Sequence, residues 1–281
     1  MQIGIIGAGK VGCSIGKYLS EAGITVTGYF SKTLQSAKEA AEFTQTAVFA
    51  SVEDLVRASD TLFITTPDGC IAGIWDCIAK LSIQNKIICH FSGSLSSVVF
   101  SGIEETGAYG CSIHPMLAFS DRFSSYRQLY EAYMTIEGQK EAVNAVQGLF
   151  KGIGNSVSEI SSDKKALYHC AASIVSNQFI ALYNLGIEQL MKCGFSEEDA
   201  VGLVTPLIRN NVDSMLKNGV VNALTGPVER NDTGTVKKHL DSLEGDDREV
   251  YRLLARRLIH ISEEKNPERD YEDMSHLLED D

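Results

Sequence analysis

The chain opens with MQIGIIGAGKVG (residues 1–12), and this stretch decides the fold. An isoleucine-rich run leads directly into three glycines spaced as GxGxxG, and apolar residues then recur at helical intervals. A buried strand, a glycine turn and a helix in this order are typical of a dinucleotide-binding βαβ unit. We therefore predict that the turn holds the phosphates of a dinucleotide at the helix N-terminus, with an ordinary strand–helix turn as the alternative. The residues predicted to contact the cofactor here are Gly7, Gly9, Lys10, Val11 and Gly12.

The end of the predicted second strand indicates which dinucleotide binds. Sites that select NAD usually place Asp or Glu there to accept hydrogen bonds from the ribose hydroxyls. In this chain Phe30 is followed by Ser31, Lys32 and Thr33. Hydroxyls and an ammonium group bind a 2′-phosphate, which a carboxylate would repel. The sequence therefore favours NADP(H) over NAD, unless Ser31 and Lys32 only begin the next helix as a cap and a solvated charge.

Strands and helices alternate through the first half of the chain. This alternation predicts an α/β fold, a doubly wound Rossmann-like domain with a mostly parallel sheet. Ligands of such sheets bind outside the carboxyl ends of the strands. Four residues at predicted strand ends are therefore further candidates for the cofactor site: Thr66, Pro67, Ser92 and Gly93.

From about residue 160 onward the pattern is helical, with no convincing strand. We predict two domains, a dinucleotide-binding domain at residues 1–160 and an all-α substrate and dimerisation domain at 161–281. A helix at about 164–193 is apolar on most of its faces, more than one small domain is able to bury. We therefore expect a homodimer through the helical domain, since symmetric dimers are the commonest assemblies.

Length, composition and charge agree with a two-domain cytoplasmic protein. No uninterrupted apolar run approaches the ~20 residues of a membrane span, so we expect no membrane association. The formal net charge of −12 argues against a nucleic-acid partner. The seven cysteines form no CxxC pair, as expected of free thiols in a reducing cytosol, and the six histidines show no metal-ligand spacing. Residues 263–281 hold nine acids and two bases, and we expect this tail to be solvated or partly disordered.

Beyond these patterns, the chain resembles two-domain proteins that join a Rossmann-like domain to a C-terminal domain of unknown function 2520. The resemblance spans residues 3–240 and rests on the segments GIIGAGKVG, HFSGSLSS, SIHPMLAF, DKKALYHCAASIVSN and LTGPVERNDTGTVKKHL. More distantly, the chain is similar to 6-phosphogluconate-dehydrogenase-like reductases, which include pyrroline-5-carboxylate reductase, ketopantoate reductase and prephenate dehydrogenase. This similarity implies NAD(P) binding and a helical domain that closes over the nicotinamide and often dimerises. It implies no particular substrate.

Three residues are candidates for acid–base chemistry. His114 lies at a predicted strand end in a His-Pro-Met run like that of prephenate dehydrogenases, and histidine titrates near neutral pH. Lys165 opens the long helix at the place where several dehydrogenases of this superfamily carry a catalytic lysine. Those relatives have asparagine four residues later, where this chain has His169. Each residue has an alternative structural role: a histidine that is simply hydrogen-bonded to a loop carbonyl, or a lysine at a helix start that is simply solvated.

Three residues are candidates for substrate binding. Asn177 lies on the same helical stripe as Lys165 and His169. Arg230 and Asp232, in the segment that begins at Gly226, are the other two, and Arg230 offers a two-pronged donor for a substrate carboxylate. Alternatively, Asp232 caps the following helix and Arg230 pairs with it.

The sequence thus predicts an NADP-dependent oxidoreductase that transfers hydride to or from a small anionic substrate. A non-catalytic NADP-binding sensor or scaffold is the alternative from another class. Substrate identity and the direction of hydride transfer stay open.

Overall fold

The computed structural model describes residues 1–279, and contacts divide the chain into two units, Met1–Ser176 and Asn177–Asp281. In the first unit the strands are β1 (Gln2–Ile6), β2 (Thr25–Phe30), β3 (Ala47–Val48), β4 (Thr61–Ile64), β5 (Ile87–His90), β6 (Tyr109–Pro115), β7 (Met134–Gly138) and β8 (Val157–Glu159). Its helices are α1 (Lys10–Glu21), α2 (Leu34–Thr44), α3 (Val52–Ala58), α4 (Asp68–Ile78), α5 (Ile103–Thr106), α6 (Lys140–Gly152) and α7 (Lys165–Ser173).

All eight strands belong to one sheet in the order β3-β2-β1-β4-β5-β6-β7-β8. Every neighbouring pair is parallel except β6 and β7, which run antiparallel. The first six positions follow the strand order 3-2-1-4-5-6 of dinucleotide-binding folds. The predicted doubly wound, mostly parallel fold is confirmed.

Alternate residues of the central strands pack on opposite faces of the sheet. On β1, Ile3 and Ile5 belong to one apolar core, whereas Ile6 belongs to the other. On β4, Phe63 joins the first core while its neighbours join the second. Because side chains along a strand point alternately to the two faces, a continuous apolar run supplies both layers.

The second unit is helical. Its helices are α8 (Phe179–Lys192), α9 (Glu197–Ala223), α10 (Thr233–Asp241), α11 (Gly245–Lys265) and α12 (Glu272–Leu277). Gly219 breaks the regularity of α9 with a φ of +78°, a conformation that side-chain-bearing residues rarely adopt. In the described part of this unit no residue is assigned to a strand, as predicted for the region after residue 160.

The long apolar helix predicted at about 164–193 differs from expectation in two respects. A π-helical turn at Ile174–Gln178 separates α7 from α8, and the border between the units falls at Ser176, not near residue 160. The helix also begins in the first unit because α7 packs its buried Lys165 against that unit.

The same helical stretch, Ser162–Lys192, is by length and composition apolar enough to cross a membrane, and little of it is buried. The sequence contains no uninterrupted apolar run here, because Ser, Asn and Gln interrupt the stretch. Its mean hydropathy is nevertheless that of an apolar helix. One such helix is weak evidence for a membrane span, and it is the sole candidate within residues 1–279.

The acidic tail is another departure from the sequence-based expectation. It forms helix α12, and Tyr271, Met274 and Leu278 are buried in the core of the helical unit. Three apolar residues at roughly helical spacing outweigh the surrounding charges, which remain on the exposed side. Asp280 and Asp281, the end of the predicted tail, lie outside the described residues.

Candidate functional site

The glycine turn between β1 and α1 has the geometry of a phosphate cradle. Gly7 has a φ of +110°, and its carbonyl oxygen accepts a 2.9 Å hydrogen bond from the Thr65 hydroxyl. A Cβ on Gly12 would lie 2.2 Å from that same carbonyl, so only glycine fits there. By contrast, a Cβ on Gly9 would meet nothing within 4 Å, which leaves open space in front of the helix N-terminus.

The helix end itself is suited to an anion. Gly9 is the N-cap residue of α1, followed by the exposed Lys10 and the partly buried Val11, and the first turn contains no acidic side chain. The unpaired N–H groups and the positive end of the helix dipole therefore face the open space unopposed.

The loop after β2 presents the polar residues predicted to select the cofactor. Lys32 and Thr33 are exposed, Ser31 is partly buried, and Lys32 forms no ion pair within residues 1–279. The Thr33 hydroxyl donates to Ser36 Oγ at 2.7 Å. The loop is therefore built to hold hydroxyls and a free ammonium group at the surface.

Arg122, which sequence reasoning missed, ties this region together. Its guanidinium donates to the Ser36 carbonyl at 2.7 Å, to Glu39 at 2.5 Å and to Cys13 Sγ at 3.1 Å. These contacts join the starts of α1 and α2 across more than eighty residues of sequence. Arg122 lies in a loop without regular secondary structure, so no periodicity pointed to it.

The start of α4 and the loop after β5 approach each other at Asp68 and Ser92. Ser92 Oγ donates to Asp68 Oδ2 at 2.7 Å and accepts from the backbone N–H of Leu95 at 2.9 Å. Ser94 Oγ donates to the same carboxylate oxygen at 3.0 Å. Next to Asp68, Pro67 is exposed, whereas the Thr66 hydroxyl is buried without a hydrogen-bond partner among the described residues.

Lys165 lies beneath this loop and is 1% exposed. Its Nζ donates to the Ser92 carbonyl oxygen at 2.9 Å. Burial lowers the pKa of Lys165 to about 8, against the opposing influence of Glu137 and Asp68. The sequence-based alternative of a solvated lysine is therefore not what the structure shows.

His114 contacts the same cluster from the end of β6. Its Nδ1 lies 2.9 Å from the hydroxyl of Tyr168, one turn along α7 from Lys165. Burial, followed by the charges of Lys165 and His169, lowers the pKa of His114 to about 4. His114 is therefore neutral near pH 7, whereas the sequence suggested a histidine titrating there.

Gly93 is where the two histidines converge. The His114 and His169 rings are 5.8 Å apart and nearly perpendicular. A Cβ on Gly93 would lie 2.8 Å from His114 Nε2 and 2.5 Å from His169 Nδ1. The absent side chain thus lets both rings approach the loop after β5. His114, Lys165 and His169, predicted as one group, do lie together.

His90, at the end of β5, is a buried polar residue next to this loop. It is fully buried and its Nε2 has no partner among the described residues. Desolvation lowers its pKa to about 4, so this ring is also neutral near pH 7. Its Nδ1 accepts a hydrogen bond from the backbone N–H of Ser92 at 3.2 Å, which helps to fix the loop.

The remaining predicted site residues lie in the helical unit. Asp232 caps α10, since its carboxylate accepts from the Thr235 N–H at 3.0 Å and from the Thr235 hydroxyl at 2.7 Å. This is the capping role that the sequence left open. Arg230 is exposed, and Asn177 is the first residue of the unit.

The residues present in the first unit fit a bound dinucleotide. The glycine cradle is open toward the N-terminus of α1, and the orphaned Thr66 hydroxyl and the lysine-bearing loop offer further polar contacts. Within residues 1–279, no group of three His, Cys, Asp or Glu side chains is arranged to hold a metal ion.

Sequence reasoning also missed Tyr168 and Asp68. Tyr168 lies three residues after Lys165, and residues three apart on a helix share a face. That spacing would have singled it out. Asp68 follows the predicted end of β4, but nothing in the sequence shows that it reaches Ser92.

Two family models together match most of the chain. A family model described as a Rossmann-like domain matches residues 1–115, and a model described as domain of unknown function DUF2520 matches residues 132–258. No curated protein matches the sequence significantly.

Solved structures extend the similarity over nearly the whole chain. A Thermotoga maritima protein is 24% identical with a TM-score of 0.74, and the match covers 94% of this chain and 99% of that chain. A structure described as a suggested NADP oxidoreductase from Bacteroides fragilis is 23% identical with a TM-score of 0.73, and the match covers 92% of this chain and 98% of that chain. A reductive aminase from Aspergillus terreus, in complex with NADPH and ethyl-5-oxohexanoate, is 17% identical with a TM-score of 0.66 and coverage of 98% and 97%. At such identities the similarity establishes the fold.

Proposed function

Because the chain joins a Rossmann-like domain at residues 1–115 to a DUF2520 domain at residues 132–258, we propose that it is an NADP(H)-dependent oxidoreductase acting on a small anionic substrate. The observation that carries this proposal is a cluster of titratable side chains, one buried and two partly buried, beside the predicted nicotinamide end of the cofactor site. Lys165 and His114 meet the Ser92-Gly93 loop at the carboxyl ends of parallel strands, and Tyr168 contacts His114. Ligands of doubly wound sheets bind at that edge.

A bound NADP(H) would supply or accept the hydride. The chain's own residues must then hold the substrate and move a proton. Lys165, with a pKa of about 8, is mostly protonated at pH 7 and is a stronger acid than an ordinary lysine. In this proposal Lys165 donates the proton that the substrate gains when it is reduced. Neutral His114 donates a hydrogen bond to the reacting heteroatom of the substrate.

The preference for NADP(H) rests on the loop after β2. The exposed Lys32 and the neighbouring hydroxyls form a site for a 2′-phosphate, and no carboxylate occupies the end of β2. The structurally similar reductive aminase from Aspergillus terreus was solved with NADPH, which agrees with this choice.

An anionic substrate suits the positive charge at this edge of the sheet. The Lys165 ammonium at this edge favours negative charge nearby. Arg230 and Asn177 in the second unit stay proposed substrate contacts.

The second unit supports a further proposal, a homodimer in the cytoplasm. Large apolar side chains on α8 and α9 are strongly exposed, for example Ile180 at 64% and Leu216 at 83%. Burial of such a surface by a second copy would be favourable at roughly 25 cal/mol per Å² and requires no membrane. All seven cysteines are free thiols in the structure, which agrees with a reducing compartment.

Oxidation of NADPH in the presence of small carbonyl and imine acids tests the proposed activity. Lys165→Met should lower turnover by about a hundredfold or more, the effect of removing a positioned acid. Its exposed neighbour provides the control, and Lys164→Met should leave turnover unchanged. If NADPH binds but no acid in the panel is reduced, the sensor or scaffold alternative takes the place of an enzyme.

A further inference from the structure

We propose that Tyr168 is a positioning residue that holds His114 in the tautomer with its proton on Nε2, so that His114 presents a neutral N–H donor to the substrate. The substrate part of this inference rests on the proposed function, whereas the tautomer itself does not. The carrying observation is the 2.9 Å contact between Tyr168 Oη and His114 Nδ1.

Burial raises the pKa of Tyr168, although the nearby side chain of Thr135 opposes this shift, so the Tyr168 hydroxyl keeps its proton. Thr135 lies directly opposite His114 in the register of β6 and β7. The Tyr168 hydroxyl therefore has a proton to donate in its contact with His114.

Two acceptors compete for the Tyr168 proton. One is His114 Nδ1 at 2.9 Å, and the other is Met116 Sδ at 4.0 Å. An imidazole nitrogen at normal hydrogen-bond distance is a far better acceptor than a thioether at the limit of contact. The proton therefore points at Nδ1.

Burial and the charges of Lys165 and His169 lower the pKa of His114 to about 4, and the carboxylate of Asp68 opposes them. The His114 ring is therefore neutral near pH 7. A neutral imidazole carries one proton. When Nδ1 accepts from Tyr168, that proton must reside on Nε2.

Nε2 of His114 has no hydrogen-bond partner within residues 1–279, and it lies beside Gly93, in the loop whose Ser92 carbonyl holds Lys165. The free N–H thus lies at the same edge as the proposed proton donor. A donor at this place fits a reacting atom with a lone pair, such as a carbonyl oxygen, and not an iminium nitrogen, which has none.

The ring nitrogens can be read directly by NMR of protein labelled with ¹⁵N-histidine, in which sequence-specific assignment separates His114 from the other five histidines. We expect Nε2 of His114 to show the shift of a protonated nitrogen and Nδ1 that of an unprotonated, hydrogen-bonded one, unchanged between pH 6 and 8. In Tyr168→Phe the Nδ1 shift should move toward that of a nitrogen without a donor. The exposed Tyr133 supplies the control, since Tyr133→Phe should leave the His114 signals in place.

A proton on Nδ1 in the wild-type protein would overturn the inference, and so would a His114 spectrum unaffected by Tyr168→Phe in a protein that melts normally. If Tyr168→Phe fails to fold, the wild-type spectrum alone still decides which nitrogen carries the proton.

Kinetics separate this inference from the proposed function. With an active substrate, Tyr168→Phe should lower kcat about tenfold or more while KM and the Kd for NADPH stay within about twofold, because the donor acts in the transition state. An inactive wild-type protein with the expected ¹⁵N spectrum would count against the enzyme but not the tautomer. If the enzyme is active and Tyr168→Phe leaves kcat unchanged, the proposed function stands and the positioning role of Tyr168 is overturned.

Discussion

At the residue scale, Lys165 is the most consequential side chain of the first unit, because an ammonium group is retained where it is 1% exposed. A single hydrogen bond to the Ser92 carbonyl replaces its hydration. Burial of a charged group is costly unless partners compensate, and such cost is often tolerated where chemistry needs it.

This cost has a measurable dependence on pH. The pKa of Lys165 is lowered from 10.5 to about 8 in the folded chain, so between these values the unfolded chain binds more protons than the folded one. Stability contributed by Lys165 should therefore rise with pH across that window, by roughly 3 kcal/mol at most.

Denaturant unfolding of wild type and Lys165→Met at pH 7 and pH 10 provides the check. The free energy of unfolding of the wild type, relative to that of Lys165→Met, should be higher at pH 10 than at pH 7. For the exposed Lys164→Met the same difference should stay flat. If the difference in free energy of unfolding between wild type and Lys165→Met is the same at both pH values, the pKa of Lys165 is not lowered in the folded protein.

Gly93 yields a second prediction at this scale. A methyl group there would lie under 3 Å from both histidine rings. His169 is exposed and able to swing away, but His114 is held by its strand and by Tyr168. Gly93→Ala should therefore displace the His114 ring and lower turnover by roughly a hundredfold.

Gly73 on α4 is the matched control, because a Cβ there meets nothing within 4 Å. Turnover of Gly73→Ala should equal that of wild type. Equal turnover in Gly93→Ala would show that the histidines do not act at this loop.

Residue types alone indicated part of the site. Lys165, His114 and His169 were recognisable because each is titratable and each falls at a strand end or on one helical stripe. The pairings were not recognisable, since contacts such as Tyr168 with His114 span 54 residues and depend on how α7 meets β6. The low pKa of His114 was equally hidden, because burial and the nearness of Lys165 are tertiary properties.

At the scale of elements, the loop between β2 and α2 is predicted to set cofactor choice. Lys32→Glu places a carboxylate where a 2′-phosphate would bind. The tighter binding of NADPH over NADH, expected to be about tenfold to a hundredfold in wild type, should shrink or reverse.

Fluorescence titration with each nucleotide measures both affinities. The same change of charge at the exposed Lys38, within α2, should leave the ratio unaltered. Equal wild-type affinities for NADPH and NADH would refute the assignment of this loop.

The elements themselves were largely predictable, with instructive exceptions. Continuous apolar runs marked the buried strands because both faces of a parallel sheet are covered. The π-helical turn at Ile174–Gln178 left no trace in the apolar pattern, since one extra residue in a turn barely alters it. Helix α12 was hidden by its acidic composition, although its buried Met274 anchors it to the core.

At the scale of the whole molecule, the exposed apolar surface of the helical unit predicts self-association. Light scattering should report about twice the 30.6 kDa of one chain at micromolar concentration. A double variant, Ile180→Glu with Leu216→Glu, should shift the mass toward one chain, because charges within a buried interface are strongly unfavourable.

Leu34→Glu is the control, an exposed leucine of similar accessibility in the first unit. Its mass should match that of wild type. A wild-type monomer would contradict the proposed dimer and leave the apolar surface to another partner.

The shortness of the two outermost strands has a consequence for how the chain avoids misassembly. An uncovered strand exposes a row of unpaired N–H and C=O groups, which is a template for pairing with further chains. Here the sheet terminates in β3, with two residues, and β8, with three, so neither border offers more than a fragment of such a template. The long, strongly apolar strands are all interior to the sheet, where they cannot nucleate fibril growth.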